Sequence, residues 1–392
     1  MEIGIDKIGM YTPNQYVDLV ELAIHRKIDP DKFTIGIGQD KMAVAPLSQD
    51  TISMAANAAA QILSDADKAA IDLVILGTES GVDNSKAGAL YVQRLLGISN
   101  KARVLEIKEA CYGATAGLQF AKLHIAQNPK AKALVIGSDI ARYGLDTPGE
   151  VTQGAGAVAL LVAANPRILA LDMRSAYYSS EINDFWRPLD QLIAEVDGKY
   201  SNEAYIKFFQ MVFEDYQQQT GYQLNDFAAM VFHLPYTKMG LKALRKVLDQ
   251  ADNAQQDSLQ QHYHQSTLYS RRIGNIYTGS LYLSFLSLIN NDMTLKPGMR
   301  IGLYSYGSGA VGEFFSGTLQ ENYLDMLDPM HYLEMFENRT KLSIAEYEAQ
   351  FKKQLTPGIE AQKLINTDLN APYYFAGIQA KQRQYKAGAK IV

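Results

Sequence analysis

A single cysteine, Cys111, stands in the run Val104-Leu-Glu-Ile-Lys-Glu-Ala-Cys-Tyr-Gly-Ala-Thr-Ala-Gly117, where a strand-like segment opens into a helix of small residues. A helix start presents unpaired N–H groups and the positive end of the dipole, and both favour thiolate over thiol. A lone cysteine also serves as a small buried hydrophobe, so a nucleophile needs companions. Three are in reach. Glu79 closes the apolar run Asp72-Leu-Val-Ile-Leu-Gly-Thr-Glu79, His233 closes Asp226-Phe-Ala-Ala-Met-Val-Phe-His233, and Asn275 opens Asn275-Ile-Tyr-Thr-Gly-Ser-Leu-Tyr-Leu-Ser284. A cysteine can carry an acyl group as a thioester, which keeps the α-hydrogens acidic. A carboxylate whose pKa is raised by apolar surroundings can remove such a proton. Imidazole and carboxamide can polarise an acceptor carbonyl and hold the oxyanion that forms. The set therefore suits carbon–carbon bond formation on thioesters. Taken singly, Glu79 could cap a helix, His233 could be a core histidine and Asn275 an N-cap.

An internal repeat joins the four. The acidic, apolar and polar order of Asp72–Glu79 recurs in Asp226–His233, the small and apolar pattern that starts at Cys111 recurs from Asn275, and Gly154-Ala-Gly-Ala-Val158 recurs as Gly307-Ser-Gly-Ala-Val311. Three landmarks in one order indicate a duplicated unit. Glu79 and His233 are then counterparts, as are Cys111 and Asn275, facing each other across a pseudo-dyad. The halves are residues 1–167 and 168–392, meeting between Ala163 and Ser175, where Ala163-Ala-Asn-Pro-Arg167 signals a turn. Strand-like runs at Leu73–Leu76, Arg103–Ile107, Ala133–Ile136, Ala157–Val162, Ala228–Phe232 and Arg300–Tyr304 alternate with helical patterns. The helical patterns span Asp50–Ser64, Ala87–Leu96, Ala114–Gln127, Asn202–Gln217, Leu241–Leu248 and Gly279–Ile289. This alternation predicts an α/β fold with helices on largely parallel or mixed sheets. In the tail, Ser343–Leu355 reads as an amphipathic helix and Tyr373–Gln379 as a late strand, with no chemistry evident.

Composition narrows the function. The chain has 392 residues, 47% of them hydrophobic, and a formal charge of −5, which allows a large core and offers no basic field to nucleic acid. One cysteine cannot make an internal disulfide, as expected in a reducing compartment. The N-terminus Met1-Glu-Ile-Gly-Ile-Asp-Lys lacks the apolar core of a leader, and no run approaches ~18 apolar residues. The expectation is a soluble cytoplasmic protein without membrane contact. His262 and His264 lie in the polar stretch Ala251–Gln265 without acidic or thiol partners at ligand spacing, so they read as solvated and not as metal ligands. Gly307-Ser-Gly-Ala-Val-Gly312 fits a dinucleotide fingerprint, but a strand-like Glu313-Phe-Phe-Ser-Gly-Thr-Leu follows it instead of a helix. The glycines there read as a strand-end loop passing close to an acyl group. Lys238 and Lys242, four apart, share a helix face. They could be ordinary surface lysines or could hold the phosphates of a nucleotide-bearing thioester.

The chain also resembles the hydroxymethylglutaryl-CoA synthase family, in its compact bacterial form. The resemblance runs nearly the whole length. It rests on Gly77-Thr-Glu-Ser80 with Asp83-Asn-Ser-Lys-Ala87, Ala110-Cys-Tyr-Gly113, Gly137-Ser-Asp-Ile-Ala141, Thr152-Gln-Gly-Ala-Gly156, Phe232-His-Leu-Pro-Tyr236, Gly274-Asn-Ile-Tyr277 and Tyr304-Ser-Tyr-Gly-Ser-Gly309. It implies a thiolase-like fold of two duplicated α/β halves in five αβαβα layers, a homodimer, and action on acetyl-CoA and acetoacetyl-CoA in the mevalonate route without metal or other cofactor. It further implies that Cys111 is acetylated, that Glu79 is the general acid/base, and that His233 positions and polarises acetoacetyl-CoA. Asn275, Tyr143, Thr152, Ser201 and Ser308 would line the acyl pocket, Asp29, Lys238 and Lys242 would lie near CoA, and water would release the product from Cys111. The chain departs from the family with Gly113-Ala114 in place of Gly-Gly, Thr152-Gln-Gly154 in place of Thr-Gly-Gly, and Pro148-Gly149 where an Asn is common. A ketoacyl carrier-protein synthase would use Cys, His and Asn without Glu79, and a thiolase would need a second catalytic cysteine. A catalytically dead scaffold of the same superfamily would not keep all four groups.

Overall fold

The computed structural model describes residues 1–368 and 371–388, so the last positions of the expected half 168–392 lie outside the described residues. Nine strands form one twisted mixed sheet: β1 (Ile3–Tyr11), β2 (Ile71–Gly77), β3 (Arg103–Ile107), β4 (Lys132–Ala141), β5 (Gly154–Ala164), β6 (Leu169–Ser179), β7 (Ala229–Phe232), β8 (Arg300–Gly307) and β9 (Val311–Leu319). Their order is β7-β8-β9-β6-β1-β5-β4-β2-β3. The duplication is visible in that order. β2 runs parallel to β4, which turns antiparallel into β5 and then β1; β7 runs parallel to β8, which turns antiparallel into β9 and then β6. Among the described residues the second half has no counterpart of edge strand β3.

Alternation along the strands separates the layers. In β2, Val74 and Leu76 pack with Ile52 and Ala55 of α1 (Thr51–Ala60) and Val92 of α2 (Ala89–Leu96), whereas Leu73 and Ile75 pack with Leu118 and Ile125 of α3 (Gly113–Gln127). In β7, Met230 and Phe232 join Phe209 and Phe213 of α4 (Gly198–Thr220), close to Met239 of α5 (Thr237–Leu244) and Leu259 of α6 (Asn253–Thr267). Ala229 and Val231 instead join Leu281 and Phe285 of α7 (Ser280–Asn291) in the core that contains α3. Outer helices, half-sheet, central helices, half-sheet and outer helices make five layers, the side-chain period of two directing each strand to both neighbours. α7 is buried all round from Ser280 to Asn290, as a helix between two sheets must be.

Several expectations are corrected. Strand β6 occupies Leu169–Ser179, so the junction is a tight turn at Asn165, φ +50°, and Ser175 lies within a strand. Ala251–Gln265 is largely helix α6, and its His262 is buried at 6% exposure. Its Nδ1 lies 2.6 Å from the Ala228 carbonyl and its Nε2 3.1 Å from the Thr294 hydroxyl, so this histidine ties α6 to the sheet. A polar stretch of this kind reads as an exposed helix or loop; it is a helix, but its inner side carries buried Leu259, His262 and Tyr263. The Gly154 and Gly307 segments are not topological equivalents: Gly154 opens β5, while Gly307 closes β8. β3 and the late strand β10 (Tyr373–Gln379) have the expected ends; β10 pairs with β11 (Gln382–Ala387).

Among the described residues the ladder that joins the half-sheets has two paired positions, Gly4↔Ala170 and Ile5↔Leu169. A Cβ on Gly4 would lie 1.9 Å from the Leu169 carbonyl oxygen. Gly4→Ala should therefore destabilise the protein by about 2 kcal/mol or more. Gly97→Ala, where φ is +69° and space is open, should cost only about 1 kcal/mol. Denaturant midpoints of the two variants check the ranking.

Candidate active site

β2 and the start of α3 bring the first two groups together. Gly77 ends β2 so close to α3 that a Cβ would meet the Ala114 nitrogen at 2.4 Å, and Gly307 presses on the same segment, its virtual Cβ 2.8 Å from the Tyr112 nitrogen. Between these contacts Cys111, preceded by Ala110 at φ +39°, projects towards the turn after β2. Its Sγ–H donates to Glu79 Oε1 at 3.3 Å. The turn is fixed by Asp139 at the end of β4, whose Oδ1 accepts from the Thr78 hydroxyl and the Glu79 and Ser80 N–H groups at 2.9 Å each. Oδ2 accepts from the Thr278 N–H and hydroxyl, which lie beyond Asn275 in the other half. Arg187 donates to the Glu79 carbonyl.

Of these groups Cys111 opens onto a recess of about 570 Å³. Cys111, Tyr143, Thr152, Ser201, His233, Lys242, Asn275 and Ser308 all line it. Tyr143, Phe185 and Tyr277 surround the cysteine with mutual edge-on contacts, ring centroids 5.9–6.0 Å apart. Asn275 is oriented by its carbonyl, which accepts from the Tyr277 N–H and the Ser280 hydroxyl at 2.9 Å each, while its amide donates to Tyr143 Oη at 3.0 Å. It is not the N-cap of α7; Gly279 is. His233 is 2% exposed, its backbone tied to the Tyr304 carbonyl and the Tyr205 hydroxyl, and its Nδ1 has no hydrogen-bond partner. Lys242 sits on the rim and donates to Tyr236 Oη at 2.8 Å. Lys238 and Asp29 are not in the wall: Lys238 lies one helical turn before Lys242 beside Gly38, and exposed Asp29 accepts from the Asp31 N–H. Among the described residues no group of His, Cys, Asp or Glu side chains could hold a metal ion.

Electrostatics reverse one expectation. The Cys111 thiol is pushed well above its ordinary value, because burial and the carboxylates of Glu79, Asp139 and Asp184 outweigh the helix start. The resting group is a thiol. Glu79 retains a little exposure to the recess, yet enclosure by protein and then the neighbouring Asp139 charge raise it to about 8. Burial lowers His233 to about 3, leaving a neutral imidazole. Asp139 is raised to about 6 by burial, its hydrogen bonds offsetting much of the cost.

Asp139 and Asp184 are among the site residues not singled out from sequence. Asp139 lay within a quoted motif, but nothing local marks it as the pin of two turns. Asp184 is fully buried and accepts from Tyr306 Oη and the Gly309 N–H at 2.8 Å and from the Ser201 hydroxyl at 3.2 Å. It lies in an irregular segment without periodicity, and only its partners reveal it.

The architecture is the thiolase-like α/β fold, with its sole thiol and a buried carboxylate at the inner end of a recess. The family profile for hydroxymethylglutaryl-coenzyme A synthase, N terminal, matches residues 1–167, and that for its C terminal matches 168–265 and 245–387. A hydroxymethylglutaryl-CoA synthase of Enterococcus faecalis is 53% identical over 386 residues, covering 98% of this chain and 100% of that one. A crystal structure of an HMG-CoA synthase complexed with CoA superposes with a TM-score of 0.96 at 43% identity, covering 99% of this chain and 100% of that one. MvaS in complex with 3-hydroxy-3-methylglutaryl coenzyme A gives 0.90 at 34%, covering 99% of each. The chain belongs to the hydroxymethylglutaryl-CoA synthase family.

Burying the Glu79 carboxylate gives a stability signature. Its folded pKa, about 8, exceeds the ordinary 4.5, so the folded state holds more protons across that window and loses stability as pH rises through it. Glu79→Gln should match the parent near pH 4.5 and exceed it at pH 8.5 by roughly 1–3 kcal/mol. Thermal melts at the two pH values check this.

Proposed function

We propose that the protein condenses acetyl-CoA with acetoacetyl-CoA and water to give 3-hydroxy-3-methylglutaryl-CoA and CoA, serving the mevalonate route of isoprenoid synthesis. The contact that carries this reading is the Cys111 thiol bonded to Glu79 at the closed end of the recess. A carboxylate with a pKa of about 8 accepts the thiol proton as sulfur attacks the acetyl thioester, and that proton leaves with CoA. Glu79 then removes a proton from the methyl group of acetyl-Cys111. The resulting enolate attacks the ketone of acetoacetyl-CoA, whose carbonyl His233 positions and polarises, and the alkoxide that forms takes up the proton that Glu79 removed from the methyl group. Asn275 is held with its amide towards the recess and supports the developing charge. Water then hydrolyses the Cys111 thioester. Tyr143, Thr152, Ser201 and Ser308 shape the acyl pocket. Lys242 on the rim is suited to the phosphates of CoA, and Lys238 and Asp29 are assigned to CoA by the family resemblance. No metal or redox cofactor enters these steps.

Residues 1–167 and 168–392 are read as the duplicated units, and the protein as a cytoplasmic homodimer. Among the described residues no helix is long and apolar enough to cross a membrane. The dimer reading draws on apolar surface in one region: Lys122 of α3 donates to the Asp172 and Met173 carbonyls of β6, beside exposed Phe120, Leu123, Met173 and Tyr177. Light scattering should give twice the chain mass, and Phe120→Glu with Met173→Glu should shift it towards one chain mass.

The catalytic assignment is tested by mass spectrometry after exposure to acetyl-CoA. One acetyl group should map to Cys111, and Cys111→Ala should take none. Glu79→Gln should acetylate measurably yet lose at least ~10²-fold in condensation. Equal loss of acetylation in both folded variants would sink the division of roles. With the parent protein, the condensation step should rise with pH and level off above about 8, the Glu79 value.

A further inference from the structure

The C-terminal hairpin, β10 and β11, lines no part of the recess, yet it bonds to the helix that braces the Glu79 turn. Tyr385 Oη and Arg383 Nη2 donate to Asp50 Oδ2 at 2.6 and 2.7 Å. The other oxygen of Asp50 caps α1, accepting from the Ile52 and Ser53 N–H groups at 3.1 and 2.9 Å. Backbone bonds add to this docking: the Phe375 N–H reaches the Ser48 carbonyl, and Asn57 of α1 both donates to and accepts from the Tyr373 backbone. The capped turn of α1 contains Thr51, 2% exposed, whose hydroxyl donates to the Ser80 carbonyl at 3.0 Å while its own carbonyl accepts from Ser138 on β4 at 2.7 Å.

Every backbone polar group of Glu79 and Ser80 is thereby held. Asp139 takes both N–H groups, Arg187 donates to the Glu79 carbonyl and Thr51 to that of Ser80. Asp139 and Arg187 bond directly to the turn from residues next to the site; Thr51 is the connection to an element remote from it. We propose that Thr51 is a positioning residue for Glu79, and that the C-terminal hairpin, acting through Asp50 and the first turn of α1, keeps the Glu79 carboxylate aligned with the acyl group on Cys111. Loss of the Thr51 bond frees one corner of the turn, and a displacement of about 1 Å in a base can cost on the order of 10²-fold in rate. Sulfur attack on acetyl-CoA is less exposed to that displacement, because Cys111 is held by α3 and the Gly307 turn.

This inference rests on the assignment of Glu79 as the base of the condensation, so the experiment includes that variant. Acetylation of Cys111 and the condensation step are measured separately, by quenched-flow mass spectrometry and by consumption of acetoacetyl-CoA by pre-acetylated enzyme. Four proteins are compared: Thr51→Val, Thr51→Ser, Arg383→Met with Tyr385→Phe, and Glu79→Gln. Thr51→Val should lose about ten-fold or more in condensation with a distinctly smaller loss in acetylation, in which Glu79 only accepts the thiol proton. Thr51→Ser, which keeps the hydroxyl, should restore the rate, and the hairpin variant should show the same split as Thr51→Val in milder form. Parent-like condensation in Thr51→Val, or an equal fall of both steps in Thr51→Val and Thr51→Ser, would overturn the positioning role. Parent-like condensation in Glu79→Gln would instead overturn the assignment of the base.

Discussion

The site hangs on one buried carboxylate. Asp139 ends β4 at the middle of a half-sheet, where a carboxylate is tolerated only if its lone pairs are filled. One oxygen is filled by the turn after β2, the other by Thr278 of the opposite half. The same group that spaces Glu79 from Cys111 therefore also locates the segment carrying Asn275. Removing it would release both turns at once, leaving the Asn275–Tyr143 and Arg187–Glu79 bonds to join the two halves beside the thiol.

Charge around this anchor is arranged to keep protons in place until substrate arrives. Three carboxylates face one thiol, and burial penalises every ionised form, so Cys111 rests protonated and Glu79 titrates near neutrality. A neutral His233 can offer a hydrogen bond without repelling or trapping the enolate. The aromatic cage of Tyr143, Phe185 and Tyr277 excludes solvent from the same point. On the function proposed above, reactivity comes from a matched pair sharing a proton and not from a preformed thiolate.

Much of this was legible in the chain. The strands that end at Gly77 and Phe232 were readable because their apolar runs stop at polar residues, and the duplication made Glu79, Cys111, His233 and Asn275 a set before any coordinates. The thiolate expectation failed because helix-start electrostatics is local, while the opposing carboxylates come from residues 79, 139 and 184, which only the fold assembles. His262 was misread for a similar reason: its neighbours in sequence are polar, but its partners Ala228 and Thr294 lie elsewhere in the chain. Asp184 left no local trace, since irregular segments carry no periodicity from which to infer burial. The equivalence of Gly154 and Gly307 was a likeness of composition, and composition does not report whether a glycine begins a strand or ends one.

Among the described residues the two half-sheets are joined by a ladder of two paired positions, while α3 and α7 are packed between them along their lengths. Cohesion therefore comes from a common apolar interior and not from hydrogen-bonded continuity. An ancestral single unit would have shown that interior to water, and it could persist only by meeting a copy of itself. On the function proposed above, one copy carries the nucleophile and base and the other the groups that recognise the electrophile. The asymmetry of the present site is what a former symmetric pair becomes once its members no longer need to be identical.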